Sequence, residues 1–213
     1  MRKAGKDNRI KTPSPRSSTA GLLAHAGLFL TVLLAVTLSG FGFAARAQPP
    51  KLQDQLEQTL RLAALDGRIE RVRSSLDQGA ALDAVDQDGR TALMMAAYNG
   101  HTETVKLLLD RGAKIDEVDL TGRTTMMYAA SGPFASTVKL LIARGADPNI
   151  RDTGEGFTAL MFAAAEGQVE VIKALLSHGA DVTIKDNDGD KALDFAVKNG
   201  HQVAAGLLRK ETE

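Results

Sequence analysis

Hydrophobic side chains return along this chain in a helical rhythm that is itself repeated. Val105, Leu108 and Leu109 stand at i, i+3 and i+4, as do Val138/Leu141/Ile142 and Ile172/Leu175/Leu176. That spacing puts three apolar side chains on one face of an α-helix. Ahead of the first stripe runs Thr91-Ala92-Leu93-Met94-Met95-Ala96-Ala97. It returns as Thr124-Thr125-Met126-Met127-Tyr128-Ala129-Ala130 and as Thr158-Ala159-Leu160-Met161-Phe162-Ala163-Ala164. A looser copy reads Lys191-Ala192-Leu193-Asp194-Phe195-Ala196-Val197. The paired alanines predict helices that approach closely, and Thr91, Thr124 and Thr158 stand where an N-cap belongs. Gly-Ala recurs at Gly79-Ala80, Gly112-Ala113, Gly145-Ala146 and Gly179-Ala180, at spacings of 33, 33 and 34. Asp88-Gly89 and Thr121-Gly122 are turn dipeptides between the copies. Two independent landmarks share one period, which defines a repeat made of two helices and a turn.

These residues resemble the ankyrin repeat, whose pattern runs Asp-x-x-Gly-x-Thr-Pro-Leu-His-x-Ala-Ala, then Gly-His, Val-x-x-Leu-Leu and Gly-Ala-Asp. Here Asp86-Gln87-Asp88-Gly89-Arg90-Thr91 opens a unit and Asn99-Gly100-His101 joins its two helices. Val105, Leu108 and Leu109 carry the second helix, which Gly112-Ala113 ends. The resemblance covers about residues 52–210 and implies an all-α repeat solenoid. The expected form is an ankyrin stack of about five helix-turn-helix units with β-turn/hairpin fingers, at about 52–86, 87–119, 120–152, 153–186 and 187–213.

The outer two units are expected to serve as caps, with polar residues on the face turned to water. Ser75 replaces the middle leucine of the first unit, and Arg209 an apolar residue of the last. Pro133-Phe134 stands where other units have Gly-His. Proline cannot take the left-handed turn that Gly100 can, so Gly132 is expected to take it. Met94, Met127 and Met161 occupy the position where the family pattern has His, which forgoes that residue's hydrogen bonds and supplies a polarizable apolar ladder. Inter-repeat packing is the expected role, and an oxidant sink or soft-metal column is the alternative.

The first forty-seven residues read as an address. Residues 1–16 are basic, an apolar run follows over 20–45, and Ala45-Arg46-Ala47 makes a small-x-small site before Gln48-Pro49-Pro50. Together these describe a secretory signal peptide over 1–47, cut after Ala47, with 48–213 as the repeat domain. An uncut membrane anchor is the alternative, although the run is short for a span and is diluted by His25, Thr31 and Ser39. With no cysteine and no N-x-[ST] sequon, export points to a bacterial periplasm, with inner-membrane anchoring as the alternative location.

The chain is formally neutral, but residues 1–47 hold seven Lys/Arg against one Asp, leaving nineteen Lys/Arg against twenty-five Asp/Glu in 48–213. A domain of formal charge −6 is a poor partner for nucleic acid, which requires a positive face. The missing cysteines also exclude thiolate metal sites and a Cys nucleophile. No H-E-x-x-H, G-x-S-x-G or G-x-x-x-x-G-K is present, so neither a catalytic residue nor a cofactor is expected. His101 and His201 hold the Gly-His position, where a histidine bonds backbone. Asp186-Asn187-Asp188-Gly189-Asp190 falls short of a calcium loop, because Lys191 and Val197 stand where Gly and Glu are needed.

In stacks of this kind the binding surface is the finger tips and the exposed side of the first helices. Arg90, Tyr98, Asn99, Arg123, Phe157 and Glu166 occupy such positions here and are the candidate partner-binding residues. The fourth finger, Asp152-Thr153-Gly154-Glu155-Gly156-Phe157, holds one extra residue. The resemblance thus implies a non-catalytic scaffold that binds another protein, with membrane contact only if the N-terminal segment stays uncut. The alternative roles are a protective or maturation factor for an exported enzyme, possibly against oxidative stress, and a secreted effector.

Overall fold

The computed structural model describes residues 51–211. The signal segment, the cut after Ala47 and the anchor alternative fall outside them. Ten helices lie among the described residues: α1 (Leu52–Leu65), α2 (Ile69–Asp77), α3 (Ala92–Tyr98), α4 (Thr102–Asp110) and α5 (Thr125–Ala130), followed by α6 (Ala135–Ala143), α7 (Ala159–Ala165), α8 (Val169–Leu176), α9 (Ala192–Lys198) and α10 (Gln202–Lys210). They pair in sequence, odd with even, and each pair packs on the next. Neighbouring odd helices touch more extensively than neighbouring even ones, so the stack curves with the odd helices inside. No helix among the described residues is long and apolar enough to cross a membrane.

The core is one apolar seam through all five pairs. Val105, Leu108, Val138, Leu141, Ile172 and Leu175 are fully buried, as the i, i+3 spacing predicts, and so are Ala96, Ala97, Ala129, Ala130, Ala163 and Ala164. Alanine is required at these places because the odd helices of adjacent units lie against one another there. Ser75 is buried at the place of Leu108 in the first unit and does not face water. The polar cap expected from that residue is therefore absent: a small hydroxyl fills a spot that a terminal unit need not pack with leucine.

Thr91, Thr124 and Thr158 are N-caps, as their position predicts, and each hydroxyl accepts the N–H of the methionine three residues on. The methionine sulfur answers in return. Thr91 N–H donates to Met94 Sδ at 3.5 Å, and Thr124 and Thr158 donate likewise to Met127 and Met161 at 3.4 Å. A thioether thus takes the part that a carboxylate plays in a capping box, and in the last unit Asp194 does so itself, accepting from Lys191 N–H at 2.8 Å. The expected loss of hydrogen bonding at the methionines is thereby partly made good inside each unit. Met94, Met127 and Met161 are only 1–2% exposed, which suits packing and not a sink for oxidant. Mild peroxide followed by fragment mass spectrometry should oxidise half-buried Met95 well before its neighbour Met94.

Joints between units reuse one device. His101 Nε2 lies 2.9 Å from the Leu65 carbonyl and His201 Nε2 3.0 Å from that of Ala165, each one unit back. The imidazoles press against Gly67 and Gly167, where any Cβ would fall 2.5 Å from the ring. In the third unit the Phe134 ring takes this place against Gly100, which keeps the positive φ of 68°. Gly132 does not adopt a left-handed conformation, contrary to the expectation from Pro133. Helix α5 ends at Ala130, and a turn over 131–133 carries the chain into α6 without one.

Candidate partner-binding surface

Each finger is built around one aspartate. Asp86 Oδ1 accepts from the N–H groups of Asp88 and Arg90, both at 2.9 Å. Asp119 takes those of Thr121 and Arg123, and Asp186 those of Asp188 and Asp190. The acidic run at 186–190 is thus a finger turn, its first carboxylate occupied by backbone. In the fourth finger the extra residue is absorbed because Asp152 Oδ1 accepts three donors, from Glu155, Gly156 and Phe157, at 2.7–3.1 Å. Adjacent fingers are then tied backbone to backbone: Leu120 N–H to Asp88 carbonyl, Thr153 to Thr121 and Asn187 to Glu155, at 2.9–3.0 Å. Among the described residues the only β pairing is a single bridge between Val118 and Thr124, so the fingers are turns with barely a hairpin.

Behind the fingers, the odd helices present a column of half-buried side chains, one from each unit. It reads Leu62, Met95, Tyr128, Phe162 and Phe195, the last four at least partly covered. These positions recur at the repeat's own spacing, directly after Met94, Met127, Met161 and Asp194. Rings from neighbouring units meet along it. Tyr98 meets Tyr128 edge-on with centroids 6.1 Å apart, and Phe157 stands edge-on between Phe162 and Phe195 at 5.6 and 5.0 Å. Such edge-to-face pairs suit the ring quadrupole. Cations cover part of the column: the Arg123 guanidinium lies 5.0 Å above the Phe162 ring and the Lys198 ammonium 5.8 Å above that of Phe195.

The six candidate residues divide within this geometry. Tyr98 is 51% exposed at the edge of the column, and Glu166 is exposed at the end of α7. Arg123 is partly exposed over Phe162, and its one ion pair among the described residues is with Asp152 at 3.8 Å. Arg90 is held by two carboxylates, Asp86 at 2.9 Å and Asp88 at 2.8 Å, which hold its guanidinium above its usual pKa chiefly through the bond to Asp86. The Asn99 amide donates to the Leu65 carbonyl at 2.8 Å and so braces the joint to the first unit. Phe157 points into the ring cluster, because the triple backbone grip of Asp152 folds the longer finger inward. Tyr98, Arg123 and Phe157 thus belong to one strip, while Arg90 and Asn99 chiefly hold its frame together. Met95, Tyr128, Phe162 and Phe195 do not stand out singly in the sequence, and their shared period is the signal that marks them.

Tyr128 links column and fingers, donating its hydroxyl to Asp119 Oδ2 at 2.6 Å. Burial, and then the neighbouring Asp119 carboxylate, pushes the Tyr128 hydroxyl well up from its usual pKa. For Asp119, burial acts upward, but the bonds from Tyr128, Arg123 and Thr121 outweigh it and hold the carboxyl below its usual value. A carboxylate depressed in this way stabilises the fold above its unfolded pKa, and that contribution is lost as pH falls through the lower folded one. Asp119→Asn should therefore be less stable than the parent at neutral pH. Denaturant melts over a pH series should show the gap narrowing below about pH 4.

A column of joined helix pairs with turn fingers along one edge is a repeat solenoid whose open face is a groove. The family model described as ankyrin repeats (3 copies) matches residues 60–152 and again 131–213. The chain belongs to the ankyrin-repeat family. No curated protein matches it. Ankyrin-repeat proteins are in general non-catalytic scaffolds that mediate contacts between proteins.

Proposed function

We propose that this chain is a scaffold exported to a bacterial periplasm, freed by a cut after Ala47, which holds another protein along its finger-side groove and performs no reaction of its own. The observation that carries the reading is the column of Met95, Tyr128, Phe162 and Phe195. Large side chains that could have been fully buried stand instead half-open, in register, along one strip. Aromatic and arginine side chains on a rigid frame are the residue kinds that anchor interfaces. Tyr98 and Arg123, at the strip's edge, are the anchors a guest reaches first. The basic segment, apolar run and Ala45-Arg46-Ala47 site support export.

Osmotic-shock fractionation of cells expressing the full chain, followed by mass spectrometry of its N-terminus, tests the location. A shock-released protein beginning at Gln48 is expected. A chain that keeps its first residues, or that stays with the membrane pellet, would overturn the export half of the reading.

A further inference from the structure

We propose that the guest is held through a cationic stretch whose lysine or arginine stems lie on the apolar floor at the first-unit end of the groove. The inference deepens the scaffold reading and rests on it. Between α1 and the finger of Asp86 lies an open cleft of about 750 Å³. Its floor is aliphatic: Leu62 and Val85 are 53% and 55% exposed, and Met95 continues the floor into the column described above. A surface of this kind favours a guest with methylene groups to lay against it.

Charge decides which guest. Asp54, Glu57 and Asp88 stand on the rim. Asp88 shares Arg90 with Asp86, so that cation is already compensated. The other cation of the cleft, Arg61, donates to the Ala84 carbonyl at 3.3 Å. Asp54 accepts a backbone N–H from Lys51 and Glu57 an amide N–H from Gln53, and neither has a cationic partner among the described residues. The same bias extends along the fingers. Residues 80–91, 113–124, 146–158 and 180–191 hold thirteen Asp/Glu against six Lys/Arg, a formal −7, whereas the rest of 48–213 sums to +1.

An acidic guest would approach against this field, and a wholly apolar one would cover Glu57 without a counter-charge. A lysine or arginine meets both demands: its stem covers Leu62, Val85 and Met95, and its head reaches the rim carboxylates. The partner segment is therefore basic, with aliphatic residues interspersed.

Fluorescence anisotropy of the full chain with three short labelled peptides tests this: one alternating Lys and Leu, one alternating Glu and Leu, and one alternating Lys and Ser. The Lys-Leu peptide should bind tightest, the Lys-Ser peptide more weakly and the Glu-Leu peptide not measurably. Glu57→Gln combined with Asp88→Asn should weaken the Lys-Leu peptide about fivefold, and Glu170→Gln on the far side of the stack should leave it unchanged. Equal binding of the Lys-Leu and Glu-Leu peptides, or an unchanged affinity in the double variant, overturns the inference. If those results come with a protein crosslinked from the groove in cells, only the cationic guest fails; if no protein is crosslinked there, the scaffold reading fails as well.

Discussion

Truncating Leu108 to alanine should cost the whole stack about 2–5 kcal/mol, the range for large-to-small changes at fully buried leucines. Leu108 lies in the last turn of α4 with no exposed surface, and the even helices on either side pack against that helix. The loss reaches beyond one unit because a repeat is stable largely through its interfaces with its neighbours. Denaturant melts followed by circular dichroism should show the transition moving to lower denaturant. A loss below about 1 kcal/mol would mean that the site collapses around the cavity or is not buried.

The second large effect is expected at Gly122. Its φ of 81° lies in the left-handed region, and a Cβ built there would stand 2.4 Å from the backbone nitrogen of Thr153. That nitrogen belongs to the N–H that donates to the Thr121 carbonyl at 3.0 Å, the bond tying the third finger to the fourth. Gly122→Ala therefore adds a steric clash with rigid backbone to the ordinary left-handed penalty of about 1–2 kcal/mol. Gly112→Ala is the control: its φ of 93° is equally left-handed, but nothing lies within 4 Å of the added carbon. Parallel melts should show Gly122→Ala clearly more destabilised than Gly112→Ala. Equal losses would mean that the fingers part without cost.

The framework was readable in the sequence because its causes are local and repeated. A stripe such as Val105, Leu108 and Leu109 says which face is buried, and a period of 33 says that the same decision is made in each unit. Thr91, Thr124 and Thr158 cap their helices because a hydroxyl at that position serves its own chain. The surface was less readable, since exposure at a finger depends on what the next unit supplies. Phe157 has the look of an outward anchor, yet three backbone bonds to Asp152 turn it toward Phe162 and Phe195. Asn99 has the look of an open polar contact until the Leu65 carbonyl, thirty-four residues earlier, is brought beside it. At Gly132, proline next door suggested a left-handed glycine, and an earlier end to α5 removed the need for one.

A groove that holds a guest and a far side that does not can be told apart in living cells. A photo-crosslinking amino acid placed at Tyr98, beside Tyr128 on the groove, is compared with one placed at Lys139, exposed on α6. Irradiation should give a discrete protein adduct from position 98 and none from position 139. Adducts of equal yield from both positions, or from 139 alone, would contradict the assignment of the finger-side groove as the surface that holds a partner.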